Sequence, residues 1–501
     1  MSDAQASNEQ VDGESSRRAL RSLFRLPNVA LIVLGCASLL LYQRAQRLAP
    51  GTESISAFVR LALLQCVIYA AAAVVAWRAR SSRTTLLVII VFATLFRFDI
   101  LCDPPRLSDD IYRYIWDGRV QAAGVNPYRY VPADNALAHL RDASIYEHIN
   151  RRDYAQTIYP PVAQMILFAA TRVSESVVWM KCVMVAFEAC ALWAVASLLA
   201  SFKLPRQRIM LAAWHPLMVW EIAGSGHLDA IMICFVALAL LAHRRRREGL
   251  TGLLLACAAL TKLYPVALAP ALYRRWNWRT PVAFVSIIVA AYLPYLSVGL
   301  RRAAGFLAGY AEEEGLQNGT RFYLLSLARR ATGGSFEIPN AAFVIFAILT
   351  LAALALWSLQ RSRGDAWPDE DAKNVDDARH AEVGGSDEVS SRRSDRGFVT
   401  RAFVMALAFT VLLSPRYSWY FIWLVPFLCI VPAWFVVPVV YMTAASFVLY
   451  LSWLGDDAAR MFALHSIIYL PFAALCAAAW LARRLRRGAT EFAQPTRGDI
   501  D

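Results

Sequence analysis

The sequence predicts an all-α polytopic membrane protein, a bundle of about 14 transmembrane helices, and three observations carry that reading. Hydrophobic residues fill 58% of the 501 positions and charged residues only 18%, far from the balance of a water-soluble chain of this length. Apolar runs such as 86–100, 177–200 and 341–357 recur from residue 27 to residue 482. Between the runs, short turns concentrate cations: Arg78, Arg80 and Arg83; Lys203, Arg206 and Arg208; Arg244 to Arg247; Arg274, Arg275 and Arg279; Arg483, Arg484, Arg486 and Arg487.

Those turns explain the formal charge of +13, because the two long polar segments do not. Residues 1–26 hold four Arg against four acids, and residues 361–401 hold eight basic against ten acidic residues. A surplus confined to turns between apolar runs is the positive-inside signature of cytoplasmic loops. Basic residues interleaved with aromatic stacking platforms, as nucleic acid requires, are absent there, so no nucleic-acid partner is expected. The nine cysteines scatter singly without a CxxC pair, which reads as buried thiol packing.

Pinning every Arg-rich turn to the cytoplasm orders the elements. Residues 1–26 read as a disordered cytoplasmic tail, and the run from Val29 to Tyr42 has no small-residue cleavage pattern, so it reads as a retained first helix. The transmembrane domain then spans 27–482, with crossings at 27–43, 55–77 and 84–101 that put residues 102–175 outside. Within that outer loop, 162–173 is apolar but too short to span, and reads as a helix lying along the outer surface. Crossings at 176–200, 209–221 and 228–243 follow. Segment 249–273 has basic turns at both ends and Lys262-Leu-Tyr-Pro265 in its middle, so it must turn back as two half-helices. Spans at 281–298, 340–360, 400–413, 418–433, 436–453 and 461–482 complete the path. They leave a second outer loop at 299–339, a disordered inside linker at 361–399 and a basic cytoplasmic tail at 483–501. Asn318-Gly-Thr320 is a three-residue sequon match and carries little weight.

Ionisable groups at the rims of membrane helices are costly and default to functional suspects. Placed on this path, Asp109, Asp110, Glu221, His227, Asp229, Lys262 and Arg416 all fall on the outer side. The adjacent carboxylates Asp109 and Asp110, with Arg113 and Tyr114 one turn on, read either as a general base or as an N-cap with a surface ion pair. His227 and Asp229 are a poor metal set and read as sugar contacts or as helix caps. Lys262 and Arg416 suit an anion, a phosphate above all, against the alternatives of snorkelling and lipid head-group contact. Tyr417, Trp419, Tyr420 and Trp423 form an aromatic belt or a sugar-stacking surface. A base, phosphate-binding cations and carbohydrate-friendly aromatics facing outward beside lipid suit sugar transfer from a lipid-linked phosphate donor.

The motifs in order are Ser108-Asp-Asp-Ile-Tyr-Arg-Tyr-Ile-Trp-Asp-Gly-Arg119, Gly124-Val-Asn-Pro-Tyr128, Tyr159-Pro-Pro161, Gly226-His-Leu-Asp229, Thr261-Lys-Leu-Tyr-Pro265 and Leu413-Ser-Pro-Arg-Tyr417. Their succession resembles the GT-C superfamily of integral-membrane glycosyltransferases, in particular bacterial polyprenol-phosphate-mannose-dependent mannosyltransferases. The resemblance implies a GT-C-like bundle with an outer interfacial helix after Pro160-Pro161. It implies a catalytic acid at Asp109 or Asp110, donor phosphate held by Lys262, which Arg416 joins on its own chemistry, and inversion at the sugar carbon. Arg113, Tyr114, Asp117, Asn126, Tyr159, His227, Asp229 and Tyr417 are then the expected substrate-binding residues. The implied partners are a polyprenyl-phosphate sugar donor, a lipid or glycan acceptor and membrane lipids. No metal or other cofactor is expected. The implied location is the bacterial inner membrane, with both termini cytoplasmic and the site on the outer face. A flippase or permease for a lipid-linked sugar, using the same charges without chemistry, is the competing reading, and a non-catalytic scaffold of an envelope complex is a third.

Overall fold

The computed structural model describes residues 25–49, 51–303, 305–316, 319–333, 338–361, 396–455 and 457–492. The first 24 residues of the expected disordered N-tail, most of the 361–399 linker, Asn318 of the sequon and the last nine residues lie outside them, while Leu26, at the end of that tail, already begins a helix. Helix is the only regular structure among the described residues.

Three long helices open the bundle: α1 (Leu26–Gln46), α2 (Thr52–Arg78) and α3 (Arg83–Leu101). Pro27 sits in the first turn of α1, where its missing N–H costs nothing, and Ser82 caps α3 by accepting from the Thr85 N–H at 3.0 Å. Thr85 donates to Asn28 at 2.8 Å at one end of the bundle, while Arg106 reaches the Gln46 and Leu48 carbonyls at the other. Two short helices follow, α4 (Asp110–Ala122) and α5 (Pro161–Thr171), and then α6 (Val177–Ser201), capped by Ser176. α5 is the expected short apolar helix after the Pro-Pro pair. It packs against α4 at Gly118, where a Cβ would lie 2.4 Å from Thr171 Oγ1, so only glycine permits the approach.

The expected crossing at 209–221 is broken into turns, Arg206–Ile209, Met210–Ala213, Pro216–Met218 and a π-turn at Val219–Gly224, because Pro216 interrupts the hydrogen-bond ladder. α7 (Asp229–Arg244) and α8 (Glu248–Ala259) come next. After α8 the chain forms short turns at Tyr264–Leu268 and Ala269–Leu272, and Arg274 then bonds Glu248 at 2.9 Å and the His243 carbonyl at 2.8 Å. The segment thus ends beside its own start, the half-helix hairpin that its two basic ends require, with Lys262 at the tip. α9 (Arg279–Tyr292), α10 (Leu307–Glu313), α11 (Tyr323–Ala331), α12 (Asn340–Arg361), α13 (Gly397–Leu413), α14 (Ala433–Ala445) and α15 (Ala458–Phe492) complete the chain.

Eight helices are long and apolar enough to cross a membrane, among the described residues. The remaining expected crossings, 209–221, 228–243, the hairpin, 400–413 and 418–433, are shorter or broken, so the count of about 14 full spans is not reached by helix length. α15 also runs to Phe492, so the first part of the expected basic tail is helical. The Arg-rich turns gather at one end: Arg208 stacks over Trp77 at 4.3 Å, Gln207 bonds the Ala79 carbonyl at 2.9 Å, and Arg244 lies over Phe202 at 5.3 Å. Midway, Arg97 of α3 meets Glu188 of α6 through two hydrogen bonds of 2.8 and 2.5 Å. Its third nitrogen donates to the Ala93 and Ala213 carbonyls, both at 2.8 Å. This pair spends four of the five Arg97 N–H donors and both Glu188 oxygens within the protein, as a buried charge requires.

Candidate active site

The site lies at the end of the bundle opposite the Arg-rich turns and is built around the first turn of α4. Consecutive helical residues point about 100° apart, so Asp109 and Asp110 meet different surroundings. Asp110 accepts a hydrogen bond from Asn150 at 3.1 Å and keeps 22% of its side chain exposed. It faces inward, close enough to Tyr114, Tyr159, Tyr417 and Tyr450 for its charge to act on each. Asp109 faces Tyr112 and His148, which stack on each other at 4.6 Å. Its side chain is exposed, yet neighbouring atoms displace part of its hydration, and that desolvation, then the charge of Asp110, hold its carboxyl above the ordinary value.

Arg113 does not meet Asp109. It bonds Asp117 at 2.8 Å and the Ala155 carbonyl at 3.1 Å, and both side chains are buried. Asp117 also accepts from Gln164 of α5 at 2.8 Å, so the pair locks α4 to α5. Asn126 is likewise used within the protein, donating to the Tyr295 carbonyl and to Ser297, each at 2.9 Å. Tyr114 is buried and meets Tyr159 edge-on at 5.1 Å.

Gly226, at φ +75°, makes the turn before α7; a Cβ there would come within 2.4 Å of Ile111 of α4. That close approach sets His227 against Asp110. His227 is fully buried, with Nδ1 4.0 Å from Asp110 Oδ2 and Nε2 3.4 Å from Glu221 Oε2. Its ring stacks on Trp419 at 4.3 Å, and Trp419 stacks on Tyr417 at 4.4 Å with the planes 7° apart. Trp419 and Trp423 are buried in the bundle, so this stretch is a packed aromatic column rather than a lipid-facing belt. Asp229 is also fully buried; it accepts from Lys262 Nζ at 2.5 Å and from the Tyr264 hydroxyl at 3.0 Å. His227 thus stands between Asp110 and Glu221, and Asp229 holds Lys262 and Tyr264.

Beside this cluster opens a mostly apolar cavity of about 450 Å³. Its polar wall is Tyr159, Lys262, Tyr264, Tyr310, Arg321 and Tyr420. The Tyr420 ring lies between the two cations, 4.6 Å from Lys262 Nζ and 5.9 Å from the Arg321 guanidinium carbon. The Tyr310 and Tyr420 hydroxyls share a 2.6 Å hydrogen bond, and Arg321 pairs with Glu314 and donates to the Leu413 carbonyl at 3.0 Å. Residues of the 299–339 segment therefore form one wall, tied to the 102–175 segment by Arg151 and Glu313 at 2.6 Å. Ser414, in the left-handed region at φ 45°, ends α13 and turns the chain into Pro415, which also lines the cavity. Arg416 is half-buried and adds positive charge to Tyr417, but is not part of this wall.

Arg321, Glu314, Tyr310 and Tyr450 escape a reading of the sequence. Arg321 alone left a signal there, a single arginine before Phe322-Tyr323 in an outer loop; the other three join the site only through tertiary contacts. Among the described residues, no group of three or more His, Cys, Asp or Glu side chains is disposed to hold a metal.

A helical bundle with many apolar spans, bearing at one end a carboxylate and a cation-lined apolar cavity, defines a polytopic membrane protein with a lipid-adjacent polar site. The chain belongs to the alpha-(1->6)-mannopyranosyltransferase family: the family's N-terminal domain matches residues 28–278, just over half of the 501. This is a GT-C mannosyltransferase family, and the chain is accordingly a membrane glycosyltransferase. The match includes Asp109, Asp110, His227, Asp229 and Lys262, and ends before Arg321, Arg416 and Tyr417. No curated protein and no solved structure matches the chain significantly.

Proposed function

We propose that the protein transfers mannose from a polyprenyl-phosphate donor to a hydroxyl of a lipid or glycan acceptor, with inversion, forming the α-(1->6) linkage that the family's description names. One observation carries the donor: an apolar cavity of about 450 Å³ that presents Lys262 and Arg321 on its wall. Apolar lining suits the prenyl chain near its phosphate, and the cations suit the phosphate itself. Lys262 has three N–H donors and uses one on Asp229, so two remain for an anion.

Asp110 is the base in this reading. It is partly exposed, inward-facing and anchored by Asn150, whereas Asp109 looks away toward His148. In one in-line displacement Asp110 takes the acceptor hydroxyl proton, and the acceptor oxygen bonds the anomeric carbon. The bond to phosphate breaks with its electron pair on the phosphate oxygen, where Lys262 and Arg321 meet the growing charge, with Arg416 further out. These residues supply base and electrophile from the chain itself, and we propose that the reaction needs no metal. Arg-rich turns at the opposite end support an outer-face site by the positive-inside rule, and such a site suits a lipid-linked rather than a nucleotide-linked donor.

The test is purified protein in lipid nanodiscs, given radiolabelled polyprenyl-phosphate-mannose and a membrane-lipid extract, with and without a metal chelator. Label moving into a new glycolipid, unaffected by chelation, supports the reading. Donor bound without any transfer, whatever the acceptor, supports a permease instead.

A further inference from the structure

Three buried polar atoms next to Asp110 find no hydrogen-bond partner: both ring nitrogens of His227 and Oε2 of Glu221. Orphaned polar atoms in a fully buried place are expensive, and here they are in line. Tyr450 donates to Glu221 Oε1 at 2.6 Å, Glu221 Oε2 stands 3.4 Å from His227 Nε2, and His227 Nδ1 stands 4.0 Å from Asp110 Oδ2. Gly226 and the stack on Trp419 hold the imidazole plane in that line.

We infer that His227 and Glu221 are positioning residues for the base: Glu221, anchored by Tyr450, fixes the His227 tautomer so that Nδ1–H donates to the Asp110 carboxylate when the acceptor closes the gap. This rests on Asp110 being the base, as proposed above. It deepens that reading, because neither residue touches substrate.

The donor order follows from the geometry. For Nδ1 to carry the proton, Nε2 must accept one, so Glu221 must present its acidic hydrogen at Oε2. Burial and the nearby charge of Lys262 keep the imidazole from becoming a cation, which leaves one ring proton to place. A gap of 4.0 Å is of the kind that tightens when substrate binds. The other groups acting on this line are Asp109, Tyr114, Tyr159 and Tyr417 around Asp110, Lys262 beside His227, and Asp229 and Lys262 beside Glu221. None of them occupies the place between Asp110 and Glu221.

A hydrogen bond to the charged carboxylate favours its ionised form, so removing it raises the pH below which the base fails. Steady-state mannose transfer is measured across pH for wild type, His227→Phe, His227→Asn, Glu221→Leu and Glu221→Gln in nanodiscs, with thermal unfolding of each. Phenylalanine keeps the stack on Trp419 and removes both nitrogens. The expected result for His227→Phe is kcat down about tenfold, as a misoriented base would give, donor KM unchanged, and the acidic limb moved up by about one pH unit. His227→Asn, which offers an amide N–H near the Nδ1 position, recovers part of both, and Glu221→Gln retains more activity than Glu221→Leu. A His227→Phe enzyme that unfolds at the wild-type temperature with an unmoved acidic limb, or with only donor KM raised, overturns the inference alone. If His227→Phe fails to fold, the contrast between the two Glu221 variants decides: equal kcat and equal limbs overturn it. Absence of wild-type transfer sinks the donor reading and takes this inference with it.

Discussion

Of the ion pairs buried in this bundle, two are built to opposite specifications. Arg97 and Glu188 meet through two hydrogen bonds with side chains 8% and 1% exposed, and two more Arg97 donors go to backbone carbonyls. Lys262 and Asp229 meet through one contact of 2.5 Å, with Lys262 13% exposed on the wall of a cavity and two of its donors unspent. The difference teaches how to tell a staple from a working charge. A pair that spends four of its five guanidinium donors and both carboxylate oxygens within the protein joins α3 to α6 and has little left to offer a ligand. A pair left incomplete at a cavity can complete itself with an anion, and the carboxylate beside it, Asp110, is partly open to an acceptor.

The comparison can be broken or sharpened by substitution. The largest effect belongs to the open side: Asp110→Asn lowers the mannose transfer rate by about 100- to 10,000-fold, the usual worth of a general base, while binding of a non-transferable donor analogue persists. Next comes the staple. Arg97→Met leaves Glu188 buried without its partner and costs about 3–5 kcal/mol of stability, seen as a drop in unfolding temperature in detergent, whereas donor KM in the protein that still folds stays at the wild-type value. Lys262→Met reverses that pattern, with transfer falling about 100- to 1,000-fold and unfolding temperature changing less than for Arg97→Met. Equal stability loss for the two would erase the distinction between them.

The smallest effect is expected at Asp109. Its carboxyl is held above the ordinary value, so the folded state disfavours its charge, and the penalty is fully present above the folded pKa and gone below the ordinary one. Asp109→Asn removes that penalty, so stability at neutral pH rises slightly relative to wild type and the gain fades as pH falls through the carboxylate range. Transfer stays within about threefold of wild type. A loss at Asp109 as large as at Asp110 would return the choice of base to an open question.

Much of the architecture was legible in the residues because a bilayer permits so few backbone solutions. Apolar length, Arg-rich turns and the Pro-Pro pair placed α1 to α3, α5 and α6 within a few residues of their observed bounds, and two basic ends forced the hairpin that carries Lys262. The broken segment at Arg206–Gly224 was less legible. Hydropathy registers that its residues are buried, but not that Pro216 and a π-turn keep them from forming one regular span.

The site divides the same way. The sequence by itself determined which residue types collect at one end of the bundle: adjacent aspartates, a histidine and aspartate two apart, a lysine in a half-helix and an aromatic run. It could do so because charge near lipid is costly and position along the chain then fixes the side. Only the tertiary structure gave Asp109 and Asp110 their different surroundings, turned Arg113 and Asp117 into a lock between two helices, and brought Arg321 and Tyr420 to Lys262. Those outcomes depend on the direction of side chains across helix contacts and on which distant segment closes over the cavity. Neither is encoded in local spacing, because each is settled by the packing of residues far apart in the chain.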